Sequence, residues 1–228
     1  MPLTRKLAAE FLGTALLLAT VVGSGIMGVN LAAGNVGIAL LANAAATADA
    51  LYVLIALFGP ISGAHFNPAV TLVMRLRGEV GTRDAVAYSI TQIVAACFGV
   101  LLAHTMFGLL LFQPGTHIRS GGAQWLSEGV ATFGLLLTIL IGSQHRNGSI
   151  PALVASYIFA AYWFTASTSF ANPAATIARS LIQTFAGTRP SDSVGFVAAQ
   201  LIGALLAYAI AIIFLPGNLI MARGADHG

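Results

Sequence analysis

Three carboxylates interrupt otherwise apolar stretches of this sequence: Glu10, Asp49 and Glu128. Paired carboxylates can perform acid–base chemistry or hold a metal ion, but these three are far apart along the chain. The single cysteine, Cys97, excludes an internal disulfide and a cysteine-based metal cluster. No pattern of nucleophile and base, phosphate-binding loop or metal ligands is present. The sequence therefore predicts neither an enzyme, nor a cofactor site, nor a metal site.

Two Asn-Pro-Ala triplets are the most informative pattern, and they begin at Asn67 and Asn172. Asn is a preferred helix N-cap, and Pro is tolerated at the first helical position because its missing N–H has no intrahelical partner there. Each triplet therefore predicts a helix start, with short helical segments over 67–75 and 172–184. Both segments are far shorter than the roughly 20 residues that cross a bilayer. The residues of the two triplets are Asn67, Pro68, Ala69, Asn172, Pro173 and Ala174.

The composition identifies the environment of these triplets. The 228 residues are 57% hydrophobic and 7% charged, whereas soluble domains carry about 25% charged residues. This favours an all-α integral membrane protein, and the absence of any basic cluster argues against nucleic acid as a partner. Six apolar windows are long enough to span a bilayer with modest tilt. They are 9–29, 36–58, 84–111, 123–142, 150–168 and 193–215.

The two halves of the chain repeat each other. Glu10-x-x-x-Thr14 matches Glu128-x-x-x-Thr132, and Gln92-x-x-x-Ala96 matches Gln200-x-x-x-Ala204. We interpret residues 1–228 as one channel domain, with repeat one over about 5–108 and repeat two over about 123–216. Three spans per repeat is an odd number, so the second copy enters the membrane inverted, with broken helices meeting near the midplane.

The distribution of Lys and Arg predicts the orientation. A cytoplasmic N-terminus puts seven of these residues inside and three outside, which the positive-inside rule favours. Both termini are then cytoplasmic, in a multi-pass protein of the cell (inner) membrane. The seven are Arg5, Lys6, Arg75, Arg77, Arg83, Arg146 and Arg223, and the three are Arg119, Arg179 and Arg189.

With these motifs in register, the chain resembles the aquaporin (major intrinsic protein) family over essentially its whole length. The residues that carry the resemblance are Glu10, the run Ser62-Gly63-x-His65-Phe66-Asn67-Pro68-Ala69-Val70-Thr71, Gln92, Glu128, Asn172-Pro173-Ala174 and Gln200. The resemblance implies six transmembrane helices, two re-entrant half-helices and a homotetramer with one pore per subunit. It implies a passive channel for small neutral solutes that is embedded in the lipid bilayer. The symmetric pairs, Glu10 with Glu128 and Gln92 with Gln200, are interpreted as structural buried residues.

The selectivity filter implied by the resemblance departs from the family pattern. The family usually places an Arg three residues after the second motif's Asn, where this chain has Ala175. The register predicts a ring of small, uncharged side chains: Thr47, Ala160, Ser169 and Ala175. We expect such a ring to pass water and larger neutral solutes such as glycerol, urea and metalloid acids, including arsenite in its uncharged form.

Several alternatives remain open from the sequence. Arg179 lies one helical turn beyond Ala175. It either rebuilds a narrow, water-selective filter, with Asn43 as the residue that receives it, or extends to the headgroups. His65 and Phe170, each two residues before an Asn, are further pore candidates. An intramembrane carboxylate is a functional candidate by default, but Asp49 is expected to serve a structural or subunit contact. The rival functions are a proton-coupled transporter and a non-conducting structural tetramer.

Overall fold

The computed structural model describes residues 1–145 and 147–215, which form eight α-helices and two short 3₁₀ turns. Arg146 and Arg223, two of the seven cations assigned to the cytoplasm, lie outside the described residues, as does the end of the predicted second repeat. The helices are α1 (Leu3–Leu31), α2 (Val36–Ser62), α3 (Pro68–Leu76), α4 (Thr82–Met106), α5 (Gly122–His145), α6 (Ile150–Phe164), α7 (Pro173–Arg179) and α8 (Ser193–Phe214).

Six of these helices correspond to the predicted spans, and α3 and α7 are the predicted half-helices. Helices α1, α2, α4, α5 and α8 are long and apolar enough to cross a membrane. Helix α6 is apolar but has 15 residues, and it ends at Phe164 rather than near 168. Helix α4 likewise ends at Met106 rather than at 111, so the predicted helical architecture is present with two spans that end earlier than the hydropathy windows indicated.

The second half-helix is also shorter than predicted. It ends at Arg179 instead of continuing to 184, because a neighbouring loop takes the carbonyl groups that further helix would have used. Gly115 N–H donates to the Ser180 carbonyl at 3.0 Å, and Gln113 N–H donates to the Leu181 carbonyl at 3.0 Å. The connection between α4 and α5 thus terminates α7.

The spans form two groups, and each group encloses the half-helix that belongs to the other. Helices α1, α2 and α4 pack together, as do α5, α6 and α8, with α2 and α6 in contact between the groups. The buried side chains of α3, such as Val70 and Val73, belong to the apolar cluster built mainly by α5, α6 and α8. Those of α7, such as Ala174 and Ala178, belong to the cluster built mainly by α1 and α4. The two halves therefore interlock.

Small residues allow the closest helix contacts. A Cβ atom on Gly99 of α4 would collide with the carbonyl of Ala15 in α1, and one on Gly203 of α8 would collide with the carbonyl of Gly129 in α5. Glycine at such positions lets two backbones approach each other, which is the usual way membrane helices gain packing energy.

Candidate functional site

Asn67 and Asn172 make the same two kinds of contact and join the two half-helices. Each side-chain oxygen caps its own helix: Asn67 Oδ1 accepts from Ala69 N–H at 2.9 Å, and Asn172 Oδ1 accepts from Ala174 N–H at 3.0 Å. Each Nδ2 donates across to the other loop, from Asn67 to the Ala171 carbonyl at 2.7 Å and from Asn172 to the Phe66 carbonyl at 2.8 Å. An amide nitrogen carries two N–H donors, so each Asn retains one for a further partner.

In the first half, the loop before the half-helix is held by the buried carboxylate of Glu10. Its oxygens accept from the backbone N–H groups of His65 at 3.0 Å and Phe66 at 2.8 Å, and from Ser62 Oγ at 2.6 Å. Gln92 Nε2 also donates to Glu10, at 2.8 Å, and reaches Thr71 Oγ1 at 3.0 Å. The carboxylate therefore connects α1, α4 and the start of α3.

The second half repeats this network with different residues. Glu128 accepts from the N–H groups of Phe170 and Ala171, both at 2.8 Å, and from Gln200 Nε2 at 2.6 Å. Gln200 Nε2 also reaches Thr176 Oγ1 at 2.8 Å. Both carboxylates are fully buried, and hydrogen bonds to a charged acceptor are the strong ones in proteins. Glu10, Glu128, Gln92 and Gln200 therefore occupy structural positions behind the two loops.

The backbone of both loops turns its carbonyl groups away from these carboxylates. Left-handed φ angles at Ala64 (50°), Phe66 (49°), Ser169 (52°) and Ala171 (48°) break up the extended chain in a pattern that is similar in the two halves. Among the described residues, no hydrogen bond ends at the carbonyls of His65, Ser169 or Phe170. The backbone N–H groups of each loop thus donate to a buried glutamate, whereas these carbonyl groups remain available as acceptors for another partner.

One cavity of about 750 Å³ connects these features. Both Asn residues line it where the two half-helices begin, His65 lines it from the first loop, and Ser169, Phe170 and Arg179 line it from the second half. Leu17, Leu51, Val70, Leu135 and Ile158 are among the aliphatic side chains that also line the cavity. The lining therefore combines a polar track, built from the loops, with apolar walls.

Three of the four residues predicted for the filter line this cavity, and one does not. Thr47, Ser169 and Ala175 are lining residues, whereas Ala160 is exposed on the outer surface of α6. The interpretation of Ala160 as a ring residue is therefore wrong. The side chain of α6 at this level is Tyr162, whose hydroxyl lies 3.2 Å from the Thr47 hydroxyl. Two residues correspond to about 200° of helix rotation, so the ungapped count selected the opposite face.

Arg179 lines the cavity and is pinned to one wall. Its guanidinium carbon lies 3.3 Å from the centre of the Phe170 ring, and its Nε donates to the Ala186 carbonyl. Asn43 does not receive it: the side-chain bond of Arg179 goes to Ala186, while Asn43 Nδ2 donates to the Val21 carbonyl at 2.8 Å and to Ser24 Oγ at 2.9 Å. Asn43 therefore braces α2 against α1 and is not among the lining residues, which corrects the prediction that it could be a pore partner.

Arg119 is a residue near the site that no sequence motif predicted. Its guanidinium carbon lies 5.2 Å from the Phe170 ring centre. Its Nε donates to the Gly187 carbonyl at 3.1 Å, and its NH1 donates to the Ser167 carbonyl at 3.2 Å. Only the fold brings this loop residue to Phe170, and no local motif marks it. Phe170 thus contacts two arginines, and it also packs edge-on against Phe196.

His65 and Asp49 differ in their placement. His65 lines the cavity, with Nδ1 at 3.1 Å from Thr71 Oγ1 and its ring 5.3 Å from that of Tyr88. Asp49 is exposed on the outer surface of α2, near the middle of that 27-residue helix. It therefore takes no part in the cavity.

Comparisons with known proteins agree with this architecture. The model of the family described as "Major intrinsic protein" matches residues 1–169. The chain is 55% identical over 208 residues to "Aquaglyceroporin AqpS" of Rhizobium meliloti, with 91% of this chain and 89% of that protein covered. It is 35% identical over 151 residues to "Glycerol uptake facilitator protein-like 6" of Lactiplantibacillus plantarum, with 64% and 66% covered.

A solved structure is similar to the fold. The aquaglyceroporin from Plasmodium falciparum superposes with a TM-score of 0.74, over 94% of this chain and 98% of that chain. The sequence identity of this pair is 18%, so the likeness concerns the fold alone.

Proposed function

Since the chain belongs to the major intrinsic protein family, we propose that it conducts glycerol, urea, water and uncharged metalloid acids such as arsenous acid. Membership of the family makes it a multi-pass membrane channel for small neutral solutes and not an enzyme. The observation that carries the proposal is the single cavity that both Asn-Pro-Ala loops line. The relatives described as an aquaglyceroporin and a glycerol uptake facilitator support glycerol as one solute.

The chemistry of the cavity wall suits solutes that are polar on one side. The spare N–H of each Asn and the unbonded carbonyls of His65, Ser169 and Phe170 offer donors and acceptors along one track. The aliphatic side chains of the lining offer no hydrogen bonds, so the C–H-rich face of a solute loses few hydrogen bonds when it turns toward them. A polyol or urea can exchange its water shell for this track, whereas an ion would lose hydration without an equivalent replacement.

The half-helix termini add a barrier to cations. Each helix N-terminus carries about half a positive charge, and α3 and α7 both begin at the Asn residues in the middle of the cavity. Positive half-helix ends of this kind exclude protons and cations from such pores. We therefore assign solute selection to Thr47, Tyr162, Ser169 and Ala175, which we call the outer residues because the predicted orientation places them toward the outside of the cell. We assign exclusion of cations to the centre of the cavity, where the two half-helices begin.

A water-selective channel is the second candidate, and Arg179 is the observation that favours it. A guanidinium that lines the outer cavity could narrow the passage in the way that an Arg at position 175 would. The contacts of Arg179 with Phe170 and Ala186 hold it against one wall, however. This arrangement supports a passage that remains open beside it, and therefore the broader range of solutes.

Permeability measurements distinguish the two candidates. Stopped-flow light scattering on proteoliposomes would compare water, glycerol and urea, with arsenite uptake measured alongside, for wild type, Ala175→Arg and Ala166→Arg. Ala166 lies in an exposed turn, so it controls for the added charge. We expect wild type and Ala166→Arg to pass all solutes, and Ala175→Arg to retain water but lose most glycerol and urea permeability. A wild type that passes water alone would contradict the proposal in favour of the water-selective channel.

We also propose that the channel is a homotetramer in the cell (inner) membrane, with both termini cytoplasmic. A carboxylate at the centre of a lipid-facing helix costs about 2.5–3.5 kcal/mol, so a neighbouring subunit against Asp49 would relieve this cost. Native mass spectrometry of the purified protein tests the subunit number. Labelling of a cysteine introduced at Arg83 in intact cells tests the side of the membrane, and labelling from outside would contradict the orientation.

A further inference from the structure

Arg179 is a buried charge without an acidic partner. Its exposed fraction is 3%, and the ion pairs among the described residues are Arg77 with Glu79 and Arg189 with Asp192. Buried charges are normally paired. The Nε of Arg179 bonds a neutral carbonyl and its face stacks on Phe170, which leaves the two terminal NH₂ groups for another partner. No ion pair or hydrogen bond joins Arg179 to Glu128 among the described residues; the oxygens of Glu128 accept from Phe170, Ala171 and Gln200 instead.

Ser169 independently indicates a missing partner at the same place. The residue is 3% exposed and lines the cavity, yet its Oγ is buried with no hydrogen-bond partner among the described residues. Five hydroxyls share this property among the described residues, and that of Ser169 is the one that belongs to a cavity-lining residue, where a bound solute can supply the partner. It adjoins Phe170, whose ring holds Arg179, so one unpaired hydroxyl and one unpaired guanidinium edge belong to the same outer part of the cavity.

A second cation reinforces the charge there. Arg119 lies against the same Phe170 ring, with its backbone N–H, rather than its guanidinium, bonded to Asp192 at 2.7 Å. Among the described lining residues, Glu79 is the one carboxylate, and it is paired with Arg77 at 2.8 Å. Arg179 therefore lines this part of the cavity without a carboxylate in the wall, and Arg119, which is not itself a lining residue, adds a second positive charge beside Phe170.

We propose that Arg179 and Ser169 form a binding site for small planar oxyanions of single charge, such as nitrate and the monocarboxylates. The planar guanidinium presents parallel N–H donors that match two oxygens of such an anion, and Ser169 Oγ–H donates to an oxygen of the same anion. A neutral polyol or metalloid acid would satisfy the hydrogen bonds but not the charge. An anion held there occupies the route of the neutral solutes and slows their passage.

Nitrate is the probe, because it does not cross bilayers as a neutral acid, and chloride is the matched anion without planar oxygens. Glycerol permeability of proteoliposomes would be measured in increasing nitrate or chloride at constant ionic strength. The melting temperature of the purified protein would be measured in the same salts. The flux measurement rests on the proposed glycerol channel, but the melting measurement does not, because an anion that binds the folded state raises its stability whatever the protein transports.

The variants isolate the two groups. Arg179→Lys keeps the charge but loses the planar fork, Arg179→Met removes both, and Ser169→Ala removes the hydroxyl alone. Arg83→Gln, at the exposed start of α4, is the control for the loss of one cation elsewhere. Loss of a charge-assisted hydrogen bond predicts at least about tenfold weaker nitrate inhibition in Arg179→Met, and loss of a neutral one predicts about threefold in Ser169→Ala.

The expected result is saturable inhibition and stabilisation of wild type and Arg83→Gln by nitrate but not by chloride. Arg179→Lys should lose the preference for nitrate over chloride, since an ammonium group acts as a point charge. Equal effects of nitrate and chloride on wild type would overturn the proposal, as would an unaltered nitrate response in Ser169→Ala and Arg179→Lys together. If Arg179→Met does not fold, these two variants decide. Stabilisation by nitrate without glycerol flux would support the site and contradict the proposed channel.

Discussion

Replacing Glu128 by Gln removes one acceptor from behind the second loop while preserving the size of the side chain. One carboxylate oxygen accepts from Phe170 N–H, and the other accepts from Ala171 N–H and Gln200 Nε2. In one orientation the amide of a glutamine keeps the first bond and places its NH₂ group against the other two donors; in the other orientation it keeps those two bonds and places the NH₂ group against Phe170 N–H. Gln200 can turn its side-chain oxygen, which has no partner among the described residues, toward the new amide. That rotation takes its Nε2 away from Thr176.

The magnitude follows from the group that cannot adapt. Whichever way the new amide is turned, its NH₂ group faces the backbone N–H of Phe170 or of Ala171, and a buried donor without an acceptor costs about 1–3 kcal/mol. The remaining bonds also lose their charge assistance, so we expect a total loss of about 2–3 kcal/mol. For a chain of this size, this corresponds to a melting temperature lower by roughly 4–12 °C. Glycerol permeability should fall as well, because the Ala171 carbonyl accepts from Asn67 at 2.7 Å.

Thermal unfolding in detergent and proteoliposome flux measure the two effects. Asp84→Asn is the matched control, since Asp84 lies in the first turn of α4 and its loss should cost no more than about 1 kcal/mol. If Glu128→Gln melts within about 2 °C of Asp84→Asn, the account of Glu128 as the acceptor for this loop is wrong. If wild-type flux follows a pH gradient and the variant loses that dependence, the proton-coupled transporter replaces the channel.

Two further predictions concern the contact between the halves and the closest helix pair. Asn172→Asp should reduce glycerol permeability by at least about tenfold. In wild type the Phe66 carbonyl accepts from Asn172 Nδ2 at 2.8 Å, whereas in the variant it would face a carboxylate oxygen. Glycerol flux equal to that of wild type would contradict the role of this bond. Gly203→Val should prevent folding to a monodisperse species on size exclusion, since its Cβ collides with the Gly129 carbonyl, whereas Gly122→Val, with open space around it, should behave as wild type.

Much of the fold was predictable because it rests on local signals. The Asn caps and Pro residues predicted the starts of α3 and α7, which begin at Pro68 and Pro173. Hydropathy predicted the spans, with errors at their ends. The length of α7 was not predictable, because the helix is stopped by hydrogen bonds from Gln113 and Gly115, which are remote in sequence.

The outer site was less predictable, and the reasons are geometric. Counting back from Asn172 selected Ala160 instead of Tyr162, because the irregular turn after Phe164 changes the phase between α6 and the loop. The polar partners could not be predicted either: the sequence suggested Asn43 as a partner of Arg179, but Asn43 donates to α1 and Arg179 donates to Ala186. Arg119 reaches Phe170 from a connection without regular structure. Side-chain pairing between remote segments depends on the assembled fold, and periodicity within one segment does not reveal it.

The interlocking of the halves explains why the triplets can remain so similar while the outer ends differ. Asn67 bonds the loop of the second half and Asn172 bonds the loop of the first, and the apolar face of each half-helix lies in the other half's core. A change at either triplet therefore disturbs both halves at once, which constrains the centre of the cavity. Ser169 and Arg179, by contrast, make their contacts with Ser167, Phe170 and Ala186 of the second half. Selectivity can therefore change there without disturbing the contacts that hold the two half-helices together.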